Sequence, residues 1–488
     1  MKKTMCLCWV LCAFFCRLWA QQEPDYTQGV FILNEDWFGH QNSSINFLHE
    51  NGQWEYRVFQ KENPGRELGC TSQYGTVFNG RMYIISKQER DMGASITGGR
   101  ITVCDAKTMK CIAQLQNIAT DSNGNSMADG RGFVGVNPQK GYISTSNGIY
   151  VFNLETLQVK GMIAGTGSEG AGLYSAQCGM MISYGNRVFA VHQKKGLLII
   201  DAENDTIVRV VGAPVDREDG SPRQRGFGSI VQSKDSMMWL SVAADVSGRG
   251  SIVDYFFRFD PESLDTTRIL LPQGYGLPSS WYAWTADAFC ASVRQNKLYW
   301  KKQGDGWFSN SQIVCYDIDK DECYDFFDSQ QSGWYMYCGA GFRVHPQTDE
   351  MYVSLYLDNL RQTYQTVRLN PGGELLASYE MIDNYWFPAM VIFPETLPVS
   401  PGLPENPDTL SVKETALLPL KLYPNPAAGT VYVNGDYAQV RIYDLSGRLV
   451  RSYAAQSRIP LSGLRSGIYV FYFTDARGRK AVRKVVVQ

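Results

Sequence analysis

The chain has few of the residues that most chemistry-bearing sites need. It has four histidines in 488 residues, too few for a histidine-rich metal centre. His40 and His192 are expected on one face and His49 and His345 on the other, with no ligand spacing among them. No metal or cofactor is expected. No nucleophile-elbow serine motif is present. No C-x-x-C pair occurs, which argues against zinc ribbons and thioredoxin-like exchange. There is no basic excess: the formal net charge is −2, so a nucleic-acid footprint is excluded as a reading. After the first twenty residues no apolar run is long enough to span a bilayer. The charge-rich, aromatic-poor signature of disorder is also missing, with 19% charged and 13% aromatic residues.

What is present begins with a leader. Lys2 and Lys3 precede an apolar run from Met5 to Phe15, and Ala20 offers a small residue for cleavage before Gln21. This reads as a signal peptide over residues 1–20. No small residue precedes Cys12 or Cys16, so a lipobox is a poor fit. Eight cysteines follow the leader, a count compatible with disulfides in an exported chain. Cys104 and Cys111, and Cys315 and Cys323, each flank a tight turn and are candidate hairpin bridges. Charge is unevenly divided. From residue 417 onward there are 11 Lys+Arg against 3 Asp+Glu, and residues 21–416 hold 32 basic against 45 acidic side chains. The near-neutral total therefore hides an acidic main segment and a basic tail, and the exclusion of nucleic acid is firmer for the main segment.

A strand–turn–strand unit recurs. Ile101-Thr-Val-Cys-Asp105, Tyr150-Val-Phe-Asn153, Leu198-Ile-Ile-Asp201, Phe257-Arg-Phe-Asp260, Val314-Cys-Tyr-Asp317 and Val367-Arg-Leu-Asn370 each enter a turn at Asp or Asn, and Asn46-Phe-Leu-His49 is a weaker copy. Asp and Asn suit such turns because their side chains bond the backbone just ahead. The spacings, 48 to 59 residues, together with a second hairpin upstream of six anchors, predict seven four-stranded propeller blades. The first anchor lacks its innermost strand, and Phe387-Pro-Ala-Met-Val-Ile-Phe393 can supply it. The expected fold is therefore all-β: a seven-bladed β-propeller over 21–393, closed by its last strand, with almost no helix. A Pro-rich linker over 394–416 leads to a small β-sandwich over 417–488.

Short joins fall on one face of such a ring and long joins on the other, so function is expected on the long-loop face. That face is aromatic. Trp37, Phe38, His40, Trp281, Trp284, Trp307, Trp334 and Trp386 lie in or beside the long joins and can form a ligand platform. Residues opening the innermost strands should ring the channel mouth: Tyr74, Arg131, Gln177, Phe227, Asp287, Tyr337 and Trp386. Asp129, Glu169 and Asp287 are the carboxylates that could serve sugar chemistry. Gly165-Thr-Gly-Ser-Glu-Gly170 reads as a glycine-rich loop rather than a phosphate site, because no helix follows it.

Two resemblances rest on particular motifs. Tyr423-Pro-Asn-Pro426, Ile442-Tyr-Asp-Leu-Ser-Gly-Arg448, Gly467-Ile-Tyr-Val470 and Lys484-Val-Val-Val487 make the tail resemble the C-terminal sorting domain of the type IX secretion system of Bacteroidota. That implies handling by the type IX machinery and export through the periplasm to the outer-membrane cell surface or beyond. Gly29-Val-Phe-Ile-Leu-Asn-Glu35, Trp37-Phe-Gly39, Ser86-Lys-Gln88, Asp129-Gly-Arg131 and Asn384-Tyr-Trp-Phe-Pro-Ala-Met390 make the ring resemble exported seven-bladed propellers of Bacteroidota, a family largely of unknown function. Its relatives include surface lipoproteins that capture corrinoids beside TonB-dependent receptors. The resemblance implies a non-enzymatic binding protein for a corrinoid, another tetrapyrrole or another nutrient, with a TonB-dependent receptor as a partner. A propeller lyase or glycosidase and a protein-binding adhesion scaffold are the alternatives.

Overall fold

The structure, a computed structural model, describes residues 23–394 and 420–488, apart from 169–172, 175, 213–214, 219–220, 225, 244–252, 277–288, 303–310, 337–340, 358–361, 445–448 and 476–479. The leader and most of the Pro-rich linker lie outside the described residues. The chain divides into two compact units, with the boundary at Pro404 and Glu405.

Seven four-stranded antiparallel sheets make up the first unit among the described residues. Blades 2 to 7 each run from inner to outer strand in chain order, over 70–115, 130–162, 178–211, 226–270, 289–328 and 342–380. Blade 1 is assembled from both ends of the segment. Its outer strands are Gly29–Asn34, Ser44–His49 and Trp54–Glu55, and its inner strand is Pro388–Ile392. Phe31 pairs with Ile392, Ile32 with Val391 and Leu33 with Met390. This is the closure that the incomplete first repeat implies. Among the described residues, helix is confined to Val58–Glu62 and a 3₁₀ turn at Gln330–Ser332. The long join after blade 4 carries a small extra hairpin, Val215–Glu218 with Ser221–Gln224.

Packing between blades decides which strands are apolar. The third strand of blade 4, Gly196–Asp201, is buried on both faces from Gly196 to Ile200, whereas its outer neighbour Thr206–Val211 is mostly exposed. A strand covered on both faces reads as a continuous apolar run instead of an alternating one. The core accordingly lies between adjacent blades. Blades 1, 2 and 3 share one cluster that includes Phe31, Tyr83, Ile84 and Phe133, and Val30, Ile32, Tyr352 and Phe393 seal blade 7 against blade 1.

The repeat anchors act as the sequence suggests. Asp105 Oδ1 accepts from the Lys107 and Thr108 N–H groups, Asn153 Oδ1 from Glu155 and Thr156, and Asp260 Oδ1 from Glu262 and Ser263. Four residues after five of these anchors stands a non-glycine residue with left-handed backbone: Met109, Leu157, Asp205, Leu264 and Asp321, at φ 54–65°. Turns of one shape thus repeat around the short-loop face.

The second unit is a sandwich of a three-stranded and a four-stranded sheet. Its core includes Val431, Val440, Ile442, Phe471, Phe473 and Val485.

The cysteine pairs behave differently from each other. Cys104 and Cys111 are direct cross-strand partners beside a bulge, and both are free thiols. Cys315 faces Tyr324 and Tyr316 faces Cys323. Cys315 and Cys323 therefore point to opposite faces of their sheet, into the cores on either side of blade 6, and the 315–323 bridge is corrected to two separate thiols. Side chains of a strand alternate between faces, so cysteines offset by one position cannot meet.

Asn153→Ala removes two hydrogen bonds from a turn and is expected to destabilise the propeller by about 1–2 kcal/mol. Asn153→Asp keeps the acceptor and should change stability by about 0.5 kcal/mol or less. The denaturant midpoint of the propeller transition checks both.

Candidate functional site

Inner strands start at the long-loop face, and the second strand of each blade returns to it. Residues at these strand ends therefore converge around one end of the central channel. Glu35 and Asp36 follow the second strand of blade 1, Lys87 lies near the end of Arg81–Gln88, and Asp129 and Arg131 open the inner strand of blade 3. Tyr174 comes from the join before blade 4.

Lys87, Arg100, Arg131 and Tyr174 form a polar network around Asp129, and within it Tyr174 is exposed. Asp129 is fully buried; its Oδ1 pairs with Arg100 Nη1 and its Oδ2 accepts from the Tyr174 hydroxyl at 2.7 Å. Arg100 Nη2 also reaches Glu89 at 2.8 Å. Lys87 Nζ and the Arg131 guanidinium each lie 5.9 Å from the centroid of the Tyr174 ring, within cation–π range. Burial lowers the Lys87 pKa, and the neighbouring Arg131 charge lowers it further. Burial also brings Arg131 down to about 10 against the pull of Asp129. Burial pushes the Glu35 carboxyl up to about 7, although Gln73 Nε2 donates to it and Lys87 stands near. Near neutral pH much of Glu35 is therefore a hydrogen-bond donor rather than a charge. Burial likewise lifts Asp36 to about 8, opposed by its ion pair with Arg57 at 3.1 Å. Around the buried Asp129 carboxylate the mouth carries Arg100, Lys87 and Arg131, a set that suits acyl or carboxylate oxygens of a ligand.

Beside this network is an aromatic platform. The Trp37 ring is stacked between His40 and Tyr385, with centroid distances of 3.6 and 4.0 Å. Trp37 is 39% and Phe38 is 56% exposed. Buried Asp91 holds the loop in place, accepting from the Gly39 N–H at 2.7 Å and from Gly93.

Of the residues expected at the site, Trp37 and His40 stack on one another, Phe38 is exposed next to them in the chain, and Arg131 lies in the Asp129–Tyr174 group. Gln177 is buried, and its amide reaches Gln193 at 3.4 Å. Four expectations are corrected. Tyr74 lies deeper, its hydroxyl donating to the Phe133 carbonyl at 2.8 Å, and it lines the channel wall instead of the mouth. Trp386 is 1% exposed; its indole N–H donates to the Ile382 carbonyl and its ring stacks on Tyr56. It seals the core between blades 7 and 1. Trp334 is half-buried against the core of blades 6 and 7. Phe227 is a core residue as well. Trp281, Trp284, Asp287, Trp307 and Tyr337 lie outside the described residues, as does Glu169. His192 is buried and bonded to Thr166 O, and burial lowers it to about 4, so it is a neutral structural histidine. No cluster of three metal-ligating side chains occurs among the described residues.

Glu35, Lys87, Arg100 and Tyr174 were not singled out as site residues from sequence. The signal for two of them was available. Glu35 and Lys87 both stand within the motifs that carry the ring's family resemblance, as do Asp129, Arg131 and Tyr385, and the fold gathers these motifs at one mouth.

Because burial raises the folded-state pKa of Glu35 from 4.5 to about 7, the folded protein keeps a proton that the unfolded chain has shed. The resulting loss of stability begins as pH climbs past 4.5 and is complete above about 7, at about 3 kcal/mol. Glu35→Gln should flatten the fall in melting temperature between about pH 4.5 and 7, and raise the melting temperature above that window. An unchanged pH profile would refute the assignment.

Comparison with known proteins agrees with this architecture. Residues 28–394 match the family described as a domain of unknown function, DUF5074, and residues 421–488 match the secretion system C-terminal sorting domain. A quinonprotein alcohol dehydrogenase-like protein of Bacteroides thetaiotaomicron has a similar structure, with a TM-score of 0.53 and 15% identity over 76% of this chain and 79% of that one. That likeness speaks to fold alone. Beta-agarase D of Zobellia galactanivorans is 33% identical over 70 residues, which is 14% of this chain and 15% of the agarase. Export by the type IX route, to the cell surface or the medium, follows from the sorting domain, and no described helix is long and apolar enough to cross a membrane. The chain belongs to the DUF5074 family, as a seven-bladed propeller joined to a type IX sorting domain.

Proposed function

We propose that the protein is a non-enzymatic binding propeller that captures a planar, acyl-substituted ligand on its long-loop face, with a corrinoid or another tetrapyrrole as the ligand class. The carrying observation is the occurrence of two unlike surfaces at one mouth: the exposed Trp37 and Phe38, and the network in which buried Asp129 and Arg131 meet the half-buried Lys87 and the exposed Tyr174. The exposed Phe38 ring and the edge of the His40–Trp37–Tyr385 stack supply apolar contact, and the cations of the network supply partners for propionate or amide oxygens. A mostly apolar surface with a few fixed polar groups is the usual composition of a small-molecule site. Display at the cell surface would place such a protein where it can pass a nutrient to a TonB-dependent receptor.

The test is titration of the full chain with cobalamin and, separately, haem, read by absorption spectra and native mass. One equivalent of one of them should bind with a perturbed spectrum. Trp37→Ala should weaken binding by about tenfold or more, the loss of one aromatic anchor. No mass shift with either compound sinks the tetrapyrrole reading.

A further inference from the structure

The other half of the channel has a different chemistry. All seven inner strands contribute to a cavity of about 350 Å³. Its wall is apolar over most of its area, with Val77, Phe133, Ile182, Val344, Met390 and Ile392 among its residues. Its outer rim is set by Phe78, Gln232, Val293 and Phe393, at the short-loop ends of their strands. Val293 is 36% exposed there. The volume is near the lower end for small-molecule sites, which favours a slender ligand over a macrocycle.

Among the described residues that line this cavity, Arg343 carries the charge. It lies in the middle of the short inner strand Phe342–Val344 of blade 7, and its Nη1 donates to the Phe342 carbonyl at 2.8 Å. Its influence spans the channel. Burial pushes the Tyr74 hydroxyl and the Cys290 thiol up, to about 12 and 11, and the Arg343 charge opposes both shifts. Tyr74 and Cys290 belong to blades 2 and 6, so the guanidinium's field reaches the cavity from both sides. An arginine keeps its charge at any physiological pH, and its fork matches a carboxylate. Inside an apolar wall such a pair is far stronger than in water.

We propose that this half of the channel is a second binding site, for a single-chain amphiphile ending in a carboxylate, of the medium-chain fatty acid class. The chain lies against the apolar wall and the carboxylate pairs with Arg343. This site is at the opposite end of the ring from the tetrapyrrole reading and does not depend on it.

The probes are decanoate, decan-1-ol and decyltrimethylammonium, titrated calorimetrically into the full chain. Decanoate should saturate a single site and bind about tenfold or more tighter than the ammonium analogue. Arg343→Met should weaken decanoate by about tenfold or more and leave decan-1-ol within about twofold. Val293→Trp, at an exposed rim position, should weaken both. Melting curves of the variants establish that they fold, and the comparison of head groups on the unaltered chain needs no variant. Decanoate that fails to saturate, or binds no tighter than the ammonium analogue, overturns the proposal. So does decanoate binding that survives Arg343→Met or Val293→Trp unchanged.

Discussion

The pairing of Gly29–Asn34 with Pro388–Ile392 is the interaction on which the rest of the propeller depends. It joins segments separated by nearly the whole ring, so the chain must order most of its blades before this ladder can form. In return the ring leaves no inner strand without a partner. Its consequences reach the site directly. The Glu35 and Asp36 N–H groups donate to the carbonyls of Phe387 and Trp386, continuing the closing ladder into the long-loop mouth. Trp37 stacks on Tyr385 across that same seam. The aromatic platform thus combines residues from the two ends of the segment and exists only in the closed ring. Blade 2 is fitted to the closing strand as well. A Cβ at Gly75 would come within 2.3 Å of Ile392 Cδ1, so a side chain there would push against the strand that completes blade 1.

The parts of this architecture that were readable in the sequence are those decided within a few residues. An Asp or Asn entering a turn fixes that turn by bonding the next backbone N–H groups, and six such turns gave the repeat and the blade count. The missing inner strand of the first repeat, and its supply by Phe387–Phe393, followed from counting. What could not be read is decided across blades. Nothing local marks Glu35 as a carboxyl that holds its proton, because its burial comes from neighbouring blades. Trp386 looks like a rim aromatic by position, yet Phe387 has left-handed backbone at φ 46° and the ladder slips beside Asn34. That irregularity accompanies an indole turned into the core, where it meets Tyr56 and the Ile382 carbonyl. Cys315 and Cys323 failed as a pair for a simpler reason. They are close in sequence, but their register places them on opposite faces.

The two ends of the channel differ because of what surrounds each. At the long-loop end, charged side chains from strand ends meet around buried Asp129. Lys87, Arg131 and Arg100 can share that space because Asp129 supplies a fully buried counter-charge and Tyr174 offers a π-face and a hydroxyl to the same group. Removing one partner from such a set leaves the others buried without compensation, which costs far more than the net contribution of the pair. At the short-loop end the joins are tight turns, and side chains of the inner strands form the wall of the channel cavity. Glycines there make room for large neighbours: at Gly135 a Cβ would overlap the Phe78 ring at 2.3 Å. A wall built this way is apolar by default, since hydroxyls and amides on it would need partners that the turns do not provide. Among the described residues of this wall, Arg343 is the charged one.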